Sequence, residues 1–90
     1  MEVERLLKEI ALPSSRELLR HLSDGQKTAT ELREECDGLG NRASFYKSLN
    51  RLADLDIAGK RYDAEVRRHV YELRRSEITV DLEDNEVEVR

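Results

Sequence analysis

Ser44, Lys47 and Arg51 recur at a spacing that matters if the chain there is helical. At about 100° per residue they fall on one side of a helix. Together they present a hydroxyl, an ammonium and a guanidinium, which are the donors that meet phosphate oxygens and base edges. No acidic residue lies between Asn41 and Asp54. Phe45, Leu49 and Leu52, at i, i+4 and i+7, make the opposite, apolar stripe. Asn41 is placed as an N-cap. The helix N-terminus it begins would attract a phosphate through backbone N–H groups, with Arg42 beside it. Taken alone, such a face equally describes the solvated side of a surface helix. A second basic run, Arg67-Arg68-His69, reads either as a set of phosphate contacts, each steepening the salt dependence of binding, or as a charged surface strand.

The chemistry of catalysis is not signalled. There is no phosphate-binding glycine loop, no zinc-ligand spacing and no nucleophile–base pair that can be placed together. No enzymatic activity, cofactor or metal is therefore expected. Cys36 lies on the apolar side of its segment, and Glu34, Glu35 and Asp37 beside it would raise its pKa. This suits a small core residue better than a redox sensor. Tyr46, about 100° from Phe45, is expected to pack at the rim of the core.

The elements that would carry these residues follow from period and punctuation. Val3, Leu6, Leu7, Ile10 and Ala11 make an apolar stripe over a first helix, Glu2 to Leu12, which Pro13 ends or bends. Ser14 with Glu17 has the spacing of a capping box for a second helix, striped by Leu18, Leu19 and Leu22. Ser23-Asp24-Gly25 stops it, Gly25 being free to take positive φ. Thr28 with Glu31 is another capping box, opening a third helix from Ala29 to about Cys36. Asp37-Gly38-Leu39-Gly40 is a tight connection in which Leu39 would plug the gap between helices. After Leu52 the period changes. Lys60–Asp63 and Arg67–Leu73 read as a hairpin around Ala64-Glu65-Val66, with Val70 inward, His69 and Tyr71 outward, and the register open. Ile78, Val80 and Leu82, then Val87 and Val89 across an Asp84-Asn85 turn, read as a second hairpin with an acidic polar face.

Ninety residues suit one small domain whose lean core would gain from association. The net charge of -4 is unevenly spread. Residues 1–40 carry 6 Lys/Arg against 9 Asp/Glu, residues 41–75 carry 9 against 5, and residues 76–90 carry 1 against 6. A basic middle between acidic ends gives an oriented field, which steers a polyanion better than net charge does. No apolar run approaches a membrane span, the Met-Glu-Val-Glu start is not a signal peptide, and a single cysteine suits a reducing compartment. The expectation is a cytoplasmic protein without a membrane anchor.

Thr28-Ala29-Thr30-Glu31-Leu32, the Gly38/Gly40 turn, Ser44 through Leu52 and the Ile57–Leu73 hairpin resemble the winged helix-turn-helix transcription regulators of prokaryotes, the small ArsR-like ones in particular. The resemblance covers residues 15–75. It implies an α+β winged helix-turn-helix fold of three to four helices and a β-hairpin wing, to which the alternation after Ser76 adds a C-terminal β-hairpin. Residues 1–13 would form an N-terminal helix for dimerisation, 14–75 the winged helix-turn-helix domain, and 76–90 the acidic hairpin. The helix of residues 41–53 would enter the major groove of double-stranded DNA. Position by position, Ser44, Lys47, Ser48 and Arg51 match groove-facing sites, and Lys60, Arg61, Arg67 and Arg68 match wing sites on the backbone. Asn41 and Arg42 complete the expected DNA-binding set. Metal-sensing members carry paired cysteines or histidine–carboxylate clusters. Here only Cys36, His21 and His69 stand in no ligand-spaced pair, so that role is not implied. The expected protein is a homodimer, joined by the first helix (Val3, Leu6, Leu7, Ile10) or else by the C-terminal hairpin, which could equally receive a protein partner. The alternative is a winged-helix protein-interaction module, or a subunit of a larger transcription or replication assembly, without base readout, which the acidic overall charge and the acidic C-terminal segment favour.

Overall fold

A computed structural model describes residues 3–36 and 41–90. The Asp37–Gly40 connection, with Leu39, lies outside them. The described residues form an α+β structure of four helices: α1 (Val3–Ile10), α2 (Pro13–Leu22), α3 (Ala29–Glu35) and α4 (Arg42–Asp54). Strand β1 (Lys27–Thr28) precedes α3, and β2 (Ala58–Asp63) and β3 (Arg68–Leu73) follow α4. Then come β4 (Ile78–Asp81) and β5 (Glu86–Val89). The strands make an antiparallel sheet in the order β1-β3-β2 and a separate β4–β5 hairpin. No helix among the described residues is long and apolar enough to cross a membrane.

Leu6, Leu18, Leu22, Leu32, Leu49, Leu52 and Ile57 are each 1% exposed or less. Each contributes about 1.5–3 kcal/mol relative to an exposed side chain. They come from all four helices and from the α4–β2 connection, so one core fixes every element around α4. The stripe of α1 is used inside this core. Leu6 is fully buried and Ile10 packs against the cluster, while Val3 is 39% exposed and Ala11 lies beyond the helix. The face of α1 turned inward also carries Glu9, 5% exposed.

The capping box expected at Ser14 is not formed. Helix α2 starts two residues earlier, with Leu12 in place of Ser14 as N-cap and Pro13 in its first turn, and no side chain caps it. Proline suits that position because its missing N–H would have no intrahelical acceptor there. Ser15 is then carried into the core, and Glu17 pairs with Arg20 instead. The Thr28 box is present in full. Thr28 Oγ1 accepts from Glu31 N at 3.2 Å and Glu31 Oε1 accepts from Thr28 N at 3.0 Å. Gly25 has φ 137°.

The β2–β3 hairpin has the register Lys60↔Tyr71, Arg61↔Val70, Tyr62↔His69 and Asp63↔Arg68, with β1 paired as Lys27↔Tyr71 and Thr28↔Val70. Tyr71, expected outward, is 4% exposed and joins the core. Val70, on the opposite face of the strand, is buried too, between its cross-strand neighbours Thr28 and Arg61. The Tyr71 face of β3 is covered by the core, and on the other face Val70 is shielded by the side chains of Thr28 and Arg61 on the strands either side. The C-terminal hairpin pairs Ile78↔Val89 and Val80↔Val87 on one face. It closes at its base through Ser76 N to Arg90 O, 2.7 Å.

Candidate nucleic-acid interface

Helix α4 is held at both ends of its buried side. Asn41 Oδ1 accepts from Ser44 N at 2.9 Å, the N-cap its sequence position predicts. Phe45, Leu49 and Leu52 are buried in the core. Asn41, Arg42, Ser44 and Lys47 are exposed, and the Arg42 guanidinium lies 5.6 Å from the centre of the Tyr46 ring. Phe45 and Tyr46 meet edge to face at 5.2 Å, with Tyr46 half-buried at the core's rim.

Two residues assigned to this outer face sit elsewhere. Ser48 is 7% exposed. It lies only about 60° from Phe45 and 40° from Leu52 on the helical wheel, so the core encloses it. Arg51 is turned back to α1. Its Nε donates to Glu9 Oε1 at 2.7 Å and Oε2 at 3.0 Å, and its Nη2 to Ser48 Oγ at 3.3 Å. A buried carboxylate needs a cation and hydrogen bonds to be tolerated. Arg51 supplies both and thereby ties α4 to α1. One exposed polar residue was missed. Asn50 stands about 60° from Lys47 on the wheel and is exposed, and its amide can pair with an adenine edge. The period alone would have found it.

The β2–β3 hairpin lies beside α4, and Lys60, Arg61, Arg67 and Arg68 are all exposed. They do not form one row. Cross-strand pairing puts Lys60 on the face of Tyr62 and His69, whose rings meet at 5.6 Å, and Arg61 on the face of Arg68. Lys60 Nζ lies 5.9 Å from the Tyr71 ring centre, and Arg61 Nη2 donates to Gln26 Oε1. Arg67 sits in the turn with φ 55°. Asp63 Oδ1 accepts from Glu65 N at 2.9 Å and shapes that turn. The hairpin thus offers cations on both sides of a tip ended by exposed Val66.

The other side of α3 is held by charge pairs. Lys27 Nζ meets Glu35 Oε2 at 3.0 Å, and His21 lies between Glu35 Oε1 at 3.3 Å and Glu17 Oε1 at 3.0 Å. The hydrogen bond from Lys27 lowers the pKa of Glu35, and those from Arg20 and His21 lower that of Glu17. Cys36 is buried, and its thiol pKa is pushed up to about 11 by burial first and then by the Glu17 and Glu35 charges. Among the described residues no group of three or more His, Cys, Asp and Glu side chains is placed to hold a metal ion. No protein-family model, curated protein or solved structure matches the chain.

Proposed function

We propose that this chain is a winged helix-turn-helix regulator that binds double-stranded DNA in a sequence-specific way, with α4 in the major groove and the β2–β3 hairpin on the backbone. The observation that carries the proposal is the outer face of α4. Ser44, Lys47 and Asn50 stand exposed on a helix whose other face is locked into the core, next to a hairpin bearing four exposed cations. The element order around it supports the reading. A helix, a short strand, two helices and a hairpin, with the short strand paired to the second hairpin strand, is the arrangement that presents the last helix outward. Lys47 and Asn50 are the groups for base edges. Arg42, Lys60, Arg61, Arg67, Arg68 and the α4 N-terminus are the groups for phosphate. Ser48 and Arg51 are left out of the reading set, because both are engaged inside the domain. A cytoplasmic homodimer acting on paired half-sites is part of the same proposal.

A second reading has its own support. Helix α3, which precedes α4, exposes Glu31, Glu34 and Glu35, and the whole chain is acidic. Those features suit a protein-interaction module of the same architecture. The two readings part in one experiment. Selection from a random duplex library at low salt, followed by anisotropy titration of the recovered duplex, should give binding that weakens as salt rises. Lys47→Glu should abolish it with the melting temperature unchanged. Failure to recover any duplex, or equal binding by Lys47→Glu, would sink the DNA proposal in favour of the interaction module.

A further inference from the structure

The C-terminal hairpin is the part that DNA binding leaves unexplained. Its apolar face is only partly covered by its own domain. Ile78, Val87 and Val89 pack against the core cluster, while Val80 is 46% exposed and Leu82 89% exposed. Leu82 is ringed by charge, with Asp81, Glu83 and Asp84 beside it. The tip is also built. Asp81 Oδ1 accepts from Glu83 N and Asp84 N, each at 3.0 Å, and Asn85 takes φ 55° to close the turn.

At the base of the same hairpin lies a groove of about 350 Å³ between α1, α2 and the end of β3. Its lining is apolar at Ile10, Leu19 and Ile57, and its polar part carries three cations, Arg16, Arg20 (paired with Glu17) and Arg75, against one carboxylate, Glu77. Arg75 pairs weakly with Asp56, at 3.4 Å, and its Nε is buried without a hydrogen-bond partner. A leucine flanked by carboxylates and an apolar groove flanked by guanidiniums are complementary in both shape class and charge. They stand at opposite ends of one short hairpin. From Ile78 to Leu82 the chain runs about 13 Å at the usual strand rise.

We propose that two copies of this chain associate through the β4–β5 hairpin, with Leu82 of each seated in the groove at the hairpin base of the other. A two-fold axis passing close to the exposed Val80 lays the two hairpins antiparallel, tip to base. Because such an interface is self-complementary, it sets each tip against the other copy's base, where Ile78 lines the groove. Glu83 and Asp84, beside Leu82, then meet Arg16, Arg20 and Arg75. The pairing leaves α4 and the Lys60–Arg68 part of the β2–β3 hairpin out of the groove, and it covers Leu82, which is 89% exposed. It also assigns α1 to the domain core, where Leu6 and Glu9 are already used.

Sedimentation velocity without DNA tests the association, so its outcome is separate from the fate of the DNA proposal. The unaltered chain should be a dimer at tens of micromolar. Leu82→Asp should weaken association by at least an order of magnitude while leaving the melting temperature of the monomer unchanged, since the residue touches little of its own fold. Mixing the single variants Leu82→Cys and Ser23→Cys, the second placing a thiol in the groove, should give a disulfide-linked heterodimer on oxidation. A chain that stays monomeric up to hundreds of micromolar overturns the proposal. So does a dimer that survives Leu82→Asp, or one in which Leu82→Cys links only to itself.

Discussion

Arg51 shows how a residue's role turns on one partner. Its type and its place on the wheel fit a groove-facing cation, yet a carboxylate 42 positions away in the chain takes it. That carboxylate, Glu9, was hidden in the sequence because an acidic residue within a surface helix is ordinarily solvated. Breaking the pair strands a buried charge. Arg51→Ala should destabilise the fold by about 2 kcal/mol, between the values for exposed and fully buried pairs, because the Arg51 side chain is 40% exposed. Glu9→Gln, which removes the stranded charge, should cost less. Equal melting of Arg51→Ala and the unaltered chain would show that Glu9 is not dependent on it. Cys36 was legible from its neighbours, because buried thiols among carboxylates hold their proton. With a pKa of about 11 it should react with iodoacetamide at pH 8 far more slowly than in the unfolded chain. The stability this protonated thiol lends is present below the ordinary thiol pKa and is lost as pH rises toward 11. Rapid labelling of the folded protein would place the thiol in water.

At the scale of elements, the strong periodicities carried through and the short or late-paired features did not. Helix α4, its Asn41 cap, the Thr28 capping box and both hairpins follow from apolar spacing and turn residues close in sequence. Strand β1 was not legible, since two residues cannot show a period of two. Its pairing to β3 sets Thr28 beside Val70, which helps to bury that residue on the face away from the core. The start of α2 was misplaced because two signals compete there. Ser14 offers a cap, but Pro13 fits the first turn and wins. Thr28 sits where the legible and the illegible meet, as both a β1 residue and the α3 cap. Thr28→Ala should cost about 1 kcal/mol, visible in denaturant melts. The same box makes the element pH-sensitive. Hydrogen bonds from the Thr28 backbone and side chain lower the pKa of Glu31, so its ionised form favours the fold. That contribution is complete above the ordinary carboxylate pKa and is lost as pH falls through the lowered folded value. Glu31→Gln should flatten the acid limb of the stability profile; an unchanged limb would assign it to Glu17 and Glu35.

Over the whole molecule, the proposed binding of DNA has to be reconciled with a net charge of -4. The helices and sheet fold the basic middle segment into α4 and its neighbouring hairpin, while the acidic C-terminal residues are gathered on a separate hairpin. Its strand pairing sorts them further. Thr79, Asp81, Glu86 and Glu88 share the polar face, away from Val80 and Val87. Charge held on its own element acts on DNA only through space, over roughly one Debye length, about 10 Å at 0.1 M salt. It should therefore lower the encounter rate without altering which bases are preferred. Glu86→Gln with Glu88→Gln brings the net charge from -4 to -2 while keeping the apolar face and the turn intact. The double variant should bind a selected duplex severalfold faster at low salt, and the advantage should vanish near physiological salt. The dissociation rate and the sequence preference should not move. A gain that persists at high salt, or a changed preference, would mean that the hairpin itself touches the duplex, and the acidic segment would then belong to the interface and not to the field around it.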